Sequence, residues 1–285
     1  MKRRIALRTG LVLIVCALAA PAAAQQPAVL LQRAVMIERE VDQGYGGMLR
    51  LVAGPHGGVQ ISAWREQKIR VEARVELNAP TERDLDTLAT AVAVLVDPTP
   101  TAVDVTTRGP HDKKWMKGIK KFPEALTRMP WRVDYVVWVP EHTSLDLAVN
   151  DGETVVDGIQ GIIGATSLNG TVRLRDTSGA TKISSLVGDV EISTHDRAWR
   201  GGNLTVIAAG GDIRLLVPER FSAALTAAAE RGVTIASGEG ERALGPEVKE
   251  RLGTGGAAIS LTASGAIRIV VGEPADATRQ RAEPE

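Results

Sequence analysis

Two short segments of the sequence place basic and aromatic side chains close together, where they could bind a ligand. A cation beside an exposed aromatic ring can hold an acidic glycan or an anionic envelope polymer, because the cation pairs with acid groups while the ring stacks against the polymer. Ordinary solvated loops have the same composition, and that is the alternative for both segments. The candidate ligand contacts are Lys113, Lys114, Trp115 and Lys117 in the first segment and His195, Arg197, Trp199 and Arg200 in the second.

Carboxylates suggest a second kind of chemistry, since a pair of them carries out glycoside hydrolysis. Five aspartates recur through the second half of the chain: Asp151, Asp157, Asp176, Asp189 and Asp212. Most of them adjoin a glycine, where aspartate is favoured because its side chain bonds to the backbone of a turn. The sequence contains no serine nucleophile elbow, phosphate loop or dinucleotide fingerprint. We therefore predict a protein that is not an enzyme, with a polysaccharide lyase or hydrolase built on a β-helix as the alternative.

Metal-binding patterns are not found in the sequence. The four histidines, His56, His111, His142 and His195, are scattered, and no two of them have the spacing of metal ligands. Calcium-binding nonapeptide rolls require an aspartate at the sixth place of successive repeats. Only the first of the five nine-residue repeats has one, Asp157. We predict neither a metal nor a cofactor.

The elements that would position the candidate residues are paced by glycine, which recurs every nine residues at positions 152, 161, 170, 179 and 188. Every second glycine opens a similar phrase: Gly-Glu-Thr-Val-Val, Gly-Thr-Val-Arg-Leu and Gly-Asp-Val-Glu-Ile. Apolar or β-branched residues fall two and four places after each of these glycines, which predicts a strand with one buried face. Versions of the phrase return at positions 211, 232 and 265, where the intervals are longer.

A repeat of this size cannot bury its own apolar side, so neighbouring repeats must supply the core. The predicted fold is all-β, a repetitive β-solenoid of the β-helix kind with one short amphipathic helix in its N-terminal part. An antiparallel β-sandwich of short hairpins is the alternative, because periodic turns between alternating strands also fit it. If the repeats stack as coils, then Arg173, Glu191 and Arg214 should form an outward ladder of alternating charge.

The N-terminal part, residues 25–140, departs from the glycine pacing. Alternating apolar residues over 69–77 predict a half-buried strand, and Thr81 followed by Asp84 predicts the start of an amphipathic helix over about 81–92. We expect this helix to pack on strand surface near the N-terminal end. A basic insertion of low strand propensity occupies residues 108–128. The glycine-paced strand repeats follow over residues 141–271, with a short helix predicted over 246–252.

Residues 1–24 are predicted to be a signal peptide, with a basic start, an apolar middle and a small-residue cleavage region. Its apolar middle is too short to span a membrane, and no later stretch approaches the roughly 20 apolar residues that a span requires. We expect a soluble mature protein in the periplasm, outside the cell or at its surface. The only cysteine, Cys16, lies in the signal. The polar tail over residues 272–285 is predicted to be disordered.

The charge of the mature chain argues against one class of partner. Removing the four cations of the signal leaves 30 Lys and Arg against 34 Asp and Glu, a net charge of −4. Nucleic-acid-binding proteins rely on an excess of positive charge, so we expect no nucleic-acid partner. The expected partner is an envelope polymer, a glycan or another protein.

Several phrases occur together in a recognisable way: Gly-Gly-Val-Gln-Ile-Ser-Ala-Trp ending at Trp64, Val-Asp-Tyr-Val-Val-Trp-Val-Pro ending at Pro140, and the repeated Asn-Gly-Thr-Val and Gly-Asp-Val/Ile. With these phrases the chain resembles the bacterial putative adhesin family of β-strand repeats, a domain of unknown function, from about Leu49 to Val271. The resemblance implies an exported β-solenoid with a non-catalytic surface or envelope role. It supplies no catalytic residues, and the basic insertion departs from its pattern.

Overall fold

The computed structural model describes residues 30–44 and 46–272 of the 285-residue chain. The predicted signal peptide and residues 273–285 of the predicted tail lie outside the described residues. The strands are β1 Leu31–Asp42, β2 Met48–Val52, β3 Val59–Trp64, β4 Lys68–Ala79, β5 Ala93–Pro98, β6 Ala102–Arg108, β7 Trp131–Pro140, β8 Ser144–Asp151, β9 Thr154–Asp157, β10 Ile163–Asn169, β11 Val172–Arg175, β12 Thr181–Val187, β13 Val190–Ser193, β14 Leu204–Ala208, β15 Ile213–Val217, β16 Ala223–Ser237, β17 Gly240–Leu252, β18 Ala258–Ala263 and β19 Ile267–Val271. The helices are α1 Glu82–Ala91, α2 Lys113–Met116 and a 3₁₀ turn, Glu124–Arg128. The prediction of an all-β protein is confirmed.

The strands of the glycine-paced region, together with β2 and β3 of the N-terminal part, form two parallel stacks. One contains β2, β8, β10, β12, β14 and β18 in that order, and the other contains β3, β9, β11, β13, β15 and β19. Leu145 pairs with Ile163 and Ile163 pairs with Thr181, so one turn of the chain takes 18 residues here. This parallel pairing differs from the antiparallel pairing of adjacent strands in a sandwich of hairpins.

The core lies between the two stacks, where alternate side chains of every strand point inward. Leu174, Ile192, Leu215 and Ile269 form one such row across successive turns, and each is at most 1% exposed. The residues before them form the predicted outward ladder, since Arg173 pairs in register with Glu191 and Glu191 with Arg214. That prediction is confirmed. The Arg173 Nε lies 3.6 Å from the Glu191 carboxylate.

A column of glycines forms the corner that joins the two stacks. Gly152, Gly170 and Gly188 all have positive φ, with values of 156°, 124° and 127°. A β-carbon on Gly170 would overlap the carbonyl oxygen of Gly152, and one on Gly188 would overlap that of Gly170. Positive φ and this close approach are both reasons for glycine, because other residues have a β-carbon. The nine-residue rhythm of the sequence therefore records a steric requirement of the corner.

The N-terminal end of the stacks is covered by antiparallel strands and a helix. Strand β1 pairs with β4, and β4 pairs with β7. Helix α1 begins at the predicted place: the hydroxyl of Thr81 accepts from the backbone N–H of Asp84, and Leu85 and Leu88 are fully buried on the side that faces β4 and β1. The helix prediction and its packing are confirmed. The expectation of a single helix is wrong, because Asp112 caps the additional turn α2 within the basic insertion.

The C-terminal end is closed by a long hairpin. Strand β16 crosses both stacks, pairing in parallel with β18 and then with β19, and β17 runs antiparallel along its outer side. The helix predicted over residues 246–252 is wrong, since these residues belong to β17. Local propensity is overridden here by tertiary pairing, which also places Val248 at 9% exposure against the core.

We expect Gly170→Ala to destabilise the fold strongly. The substitution would add a β-carbon where φ is positive and where the Gly152 carbonyl already occupies the space. Backbone strain alone should lower the free energy of unfolding by about 1–3 kcal/mol, and the overlap should add to this. Urea denaturation measures the change.

Gly164→Ala is the matched control. Gly164 lies in β10, close in sequence to Gly170, but its φ is not positive and an added β-carbon would lie 3.7 Å from its nearest neighbour, an ordinary contact. This variant should keep wild-type stability. Equal effects of the two substitutions would mean that the corner does not require glycine.

Candidate functional site

A shallow groove follows the second corner of the stacks, on the side opposite the glycine column described above. It consists of two adjoining hollows of about 250 Å³ and 460 Å³. His142 lines both hollows. The larger hollow is lined by His142, Ser144, Gln160, Gly161, Ile162, Ser178, Gly179, Ala180, Asp196, Arg200 and Gly201. We call this the corner groove.

Backbone, and not side chains, forms much of the floor of the corner groove. Gly161 and Gly179 stack here, and a β-carbon on Gly179 would overlap the Gly161 carbonyl oxygen. The rim is mostly polar, but Ile162 in the larger hollow is 61% exposed, and Trp64 and Pro140 line the smaller hollow. A glycine floor lets a ligand approach the backbone closely, and an exposed aliphatic group beside it can pack against the apolar face of that ligand.

The loop over residues 194–202 forms one wall of the groove and is tightly anchored. The indole Nε1 of Trp199 donates to the Gly179 carbonyl at 2.8 Å, and the backbone N–H of Gly179 donates to the Arg200 carbonyl at 2.6 Å. At the other end of the loop, His195 Nδ1 lies 2.6 Å from the Asp176 carboxylate. The loop is therefore a fixed feature of the corner, in contrast to the solvated loop that was the alternative.

The structure separates the roles of the four candidate residues in this loop. Trp199 is only 4% exposed, so its ring cannot stack on a ligand, and the expectation of an exposed aromatic is wrong at this position. Arg200 projects into the groove with its side chain 71% exposed. Its guanidinium lies 3.7 Å from Asp196, and such an exposed pair is weak, which leaves Arg200 available to a ligand. Arg197 and His195 are exposed but do not line the groove.

The basic segment lies at the N-terminal end of the stacks and does not line either hollow. Trp115 is half-buried, and its Nε1 donates to the carbonyl of Ala91, the last residue of α1, at 2.8 Å. Asp112 caps the turn by accepting from the backbone N–H groups of Lys114 and Trp115. These bonds, together with the nearby Arg108, lower the pKa of Asp112 below its ordinary value. The insertion is thus attached to the helix that covers the end of the fold.

The lysines of this segment face solvent. Lys113, Lys114 and Lys117 are exposed, and none of them has an ion-pair partner in the described part of the chain. Residues 108–128 contain seven Lys and Arg against two Asp and Glu, a local net charge of +5. The three candidate lysines therefore form a positive patch that attracts anions, although the neighbouring indole contributes little open ring surface.

The five aspartates considered for catalysis do not converge on the groove. Asp151 accepts from Asn169 and pairs with His56 Nδ1 at 2.9 Å, whereas Asp189 accepts the backbone N–H of Asp212 at 2.8 Å. Asp212 accepts the backbone N–H of Ala266. These bonds join separate turns of the coil, whereas the sequence predicts local bonds within a turn for aspartate beside glycine. Asp196 is the one carboxylate in the lining of the larger hollow, and Glu141 is the one in the smaller.

Within residues 30–44 and 46–272, no group of three His, Cys, Asp or Glu side chains could hold a metal ion. No helix in that part of the chain combines the length and apolar character needed to cross a membrane.

Several groove residues were not singled out from the sequence, namely His142, Gln160 and Ser178. They come from three successive turns of the chain, and the parallel pairing of Gln160 with Ser178 places them side by side. One signal could have identified the position: the alternate glycines 161 and 179 belong to the same nine-residue series as the strand-opening glycines.

Comparison with known proteins gives similarity at the level of solved structures only. No protein-family model and no curated protein matches the chain. A "putative cell adhesion protein" from Clostridium sporogenes is 16% identical with a TM-score of 0.45, covering 84% of this chain and 100% of its own. "Putative adhesins" from Bacteroides fragilis and Parabacteroides distasonis are 12% and 9% identical, both with a TM-score of 0.30; they cover 84% and 82% of this chain and 97% of their own. The names of these three proteins match the family that the sequence resembles. Sequence identities and TM-scores this low do not show that the chain belongs to that family.

We predict that Trp199 holds the groove wall in place. Trp199→Ala should lower the free energy of unfolding by about 3–5 kcal/mol, the usual effect of removing a buried aromatic side chain. It should also accelerate tryptic cleavage after Arg197 and Arg200 under native conditions, because the loop loses its anchor. Mass spectrometry of the early fragments reads out the cleavage sites.

Trp199→Phe separates packing from hydrogen bonding in the same measurement. It keeps an aromatic ring in the core and removes the hydrogen bond to Gly179. The free energy of unfolding should therefore fall by only about 1 kcal/mol. Unchanged cleavage at Arg197 and Arg200 in the alanine variant would show that Trp199 does not hold the loop.

His111 should make stability depend on pH. Its ring stacks on Trp131 with centroids 5.5 Å apart, and partial burial of the ring lowers its pKa below the ordinary 6.5. The folded state therefore disfavours the protonated ring. Its contribution to stability is complete above about pH 6.5 and is lost as pH falls through the unfolded-state pKa toward the lower folded one.

His111→Phe tests this pH dependence because it keeps the stacking and removes the titration. Urea denaturation at pH 7.5 and pH 5.5 should show a smaller difference between the two pH values in the variant than in the wild type. If the change in the free energy of unfolding between pH 7.5 and pH 5.5 were the same in both proteins, His111 would not be the cause of the pH dependence.

Proposed function

We propose that the protein is an exported, non-catalytic, adhesin-like or envelope scaffold protein that binds an extended acidic glycan along the corner groove. The observation that supports this most directly is the position of Arg200, which is held over a glycine-floored groove by the buried anchor Trp199. Rigid placement favours binding, because little side-chain and loop freedom is lost when the ligand arrives.

The fold in this proposal is a β-solenoid. Two parallel stacks joined at glycine corners, with a turn of 18 residues, are what a coiled chain produces. We propose the division expected from the sequence, with an N-terminal part over residues 25–140 and a coil region over 141–271. The export signal over residues 1–24 would deliver the chain to the periplasm or beyond the cell.

The groove suits a linear polymer better than a compact ligand. Its polar groups come from successive turns of the chain, and strands of a sheet lie about 4.8 Å apart. Ser144, Gln160 and Ser178 offer hydroxyl and amide groups to sugar hydroxyls. Arg200 offers a guanidinium, which binds a carboxylate in a bidentate manner. The lysine patch at the N-terminal end would raise the local concentration of an anionic polymer.

A polysaccharide hydrolase or lyase receives no comparable support from the groove. Hydrolysis of a glycosidic bond uses a pair of carboxylates on either side of it. The groove contains two carboxylates, but Glu141 accepts a hydrogen bond from the Gln160 amide and Asp196 lies beside the cation Arg200. Binding without turnover is therefore the function that we propose.

Arg200→Ala should weaken binding of a uronic-acid oligosaccharide about tenfold, equivalent to about 1.4 kcal/mol, because one charge-assisted contact is lost. Isothermal titration with the purified protein measures the dissociation constant. A neutral oligosaccharide of equal length should bind more weakly to the wild type and respond less to the substitution.

Arg214→Ala is the matched control for this experiment. Arg214 faces outward from β15, outside the groove lining and without an ion-pair partner among the described residues. This variant removes the same charge elsewhere and should bind as the wild type does. If both substitutions weakened binding equally, the oligosaccharide would be attracted by charge in general and not bound at the groove. Depolymerisation of the oligosaccharide by the wild type would overturn the proposal that the protein is not an enzyme.

A further inference from the structure

The smaller hollow of the corner groove contains an aromatic side chain, which the larger hollow lacks. All five tryptophans lie in the described part of the chain, and Trp64 alone among them lines either hollow. Trp131 and Trp199 are at most 6% exposed, whereas Trp115 and Trp138 are half-buried but lie outside the groove lining. Trp64 is therefore the tryptophan that a ligand in the groove can contact.

Trp64 is held in a fixed orientation by its neighbours. Its Nε1 donates to the carbonyl of Lys68 at 2.8 Å, and its ring centroid lies 6.4 Å from that of Trp138. The Arg70 guanidinium lies 5.4 Å from the Trp138 ring centroid and packs over that ring. Because the one polar atom of the Trp64 side chain is already bonded within the chain, the surface that it offers to a ligand is apolar.

Polar residues line the same hollow beside Trp64. Arg65 follows Trp64 in the chain and is exposed, and it has no ion-pair partner among the described residues. Gln67 lines the hollow as well, and Glu141 accepts a hydrogen bond from the Gln160 amide. An apolar surface with a few polar groups around it is typical of sites that bind small molecules. A pyranose ring has the matching division, with C–H groups on its face and hydroxyls at its edge.

We propose that Trp64 is the platform on which one sugar ring of the bound polymer stacks, and that Arg65 pairs with the acid group of that sugar. This inference rests on the function proposed above and adds a second contact point to the same groove. The C–H groups on the face of the sugar pack against the negative face of the indole ring. The guanidinium of Arg65 supplies the planar, bidentate partner that a carboxylate requires.

The position of Trp64 suits a ligand that extends along the groove. Strand β3 ends at Trp64, and β9, β11 and β13 follow it in the same stack; the loop with Arg200 comes after β13. At a spacing of about 4.8 Å, β3 and β13 lie about 14 Å apart. An oligosaccharide of several rings would contact both Trp64 and Arg200, whereas a single sugar would contact only one of them.

The two contact points differ in chemistry, and this difference makes them separable. Stacking on an indole requires no charge on the ligand, so Trp64 should contribute equally to the binding of an acidic and a neutral oligosaccharide. A guanidinium gains its strength from pairing with an anion, so Arg65 and Arg200 should contribute mainly to the binding of the acidic one.

The test compares a galacturonic-acid oligosaccharide with a galactose oligosaccharide of equal length by isothermal titration. Trp64→Ala should weaken the binding of both by a similar factor, about tenfold. Arg65→Ala should weaken mainly the binding of the acidic one, and unchanged binding in that variant would overturn the assignment of Arg65. If Trp64→Ala leaves both dissociation constants unchanged while Arg200→Ala weakens the acidic ligand, the inference is wrong and the proposed function stands. A wild type that binds neither oligosaccharide overturns both.

Trp115→Ala is the matched control. Trp115 is also half-buried, and its Nε1 also donates to a backbone carbonyl at 2.8 Å, but it does not line the groove. The galactose oligosaccharide is the suitable probe here, because the lysines near Trp115 do not attract an uncharged ligand. This variant should bind as the wild type does. Equal weakening by Trp64→Ala and Trp115→Ala would overturn the inference, since loss of any such tryptophan would then have the same effect.

A second pair of variants separates stacking from folding. Trp64→Phe keeps an aromatic ring and loses the bond to Lys68, whereas Trp64→Leu keeps an apolar side chain without a ring. Urea denaturation should show a similar loss of stability in the two variants. Trp64→Phe should bind the galactose oligosaccharide within about threefold of the wild type, and Trp64→Leu should bind as weakly as Trp64→Ala. Equal binding by the Phe and Leu variants would mean that Trp64 serves only the fold.

Discussion

The close approach of backbone to backbone at the glycine corners is the constraint on which the rest of the structure depends. Successive turns are joined there by hydrogen bonds, such as that from the Gly170 N–H to the Val187 carbonyl at 2.9 Å. These bonds fix the register of one turn on the next, and a strand has a side-chain period of two, so register decides which residues enter the core. The apolar row and the outward charge ladder are both consequences of the same alignment. A β-carbon at the corner would disturb all of them together.

Much of this scaffold could be predicted from the sequence because its determinants are local and repeated. The glycine spacing gave the positions of Arg173, Glu191 and Arg214 relative to one another, and Thr81 with Asp84 marked the start of α1. What failed depends on distant contacts. Taken by themselves, residues 246–252 predict a helix, but in the structure they pair with β16. Trp199 lies beside cations in the sequence and was expected to be exposed, but its indole bonds to the Gly179 carbonyl on the preceding turn. The corner groove was missed for the same reason, since its residues come from separate turns.

The ends of the stacks follow different physical rules from the middle. A strand in the middle has hydrogen-bonded neighbours on both sides, whereas an end must be covered or charged. The chain departs from its glycine rhythm at both ends, with antiparallel strands and α1 before the repeats and the β16–β17 hairpin inserted between the last regular turns. The basic segment belongs to this end structure, because Trp115 bonds to the last residue of α1. The sequence of the basic segment predicted a loop because the bond that attaches the segment, from Trp115 to Ala91, joins residues distant in the chain.

The loop over residues 194–202 shows how such a scaffold can acquire a site without altering its core. The interval from Thr181 to its partner Leu204 is 23 residues, five more than in the regular turns, and the extra residues cannot fit within the corner. They project beside it, where Trp199 returns to the core and leaves Arg200 outside. Each turn contacts only its neighbours, so an insertion of this kind changes one wall of the groove and leaves the pairing of β12 with β14 intact. Scaffold and contact surface are thereby encoded by different residues, which is why the repeats specify the shape so fully and the ligand so little.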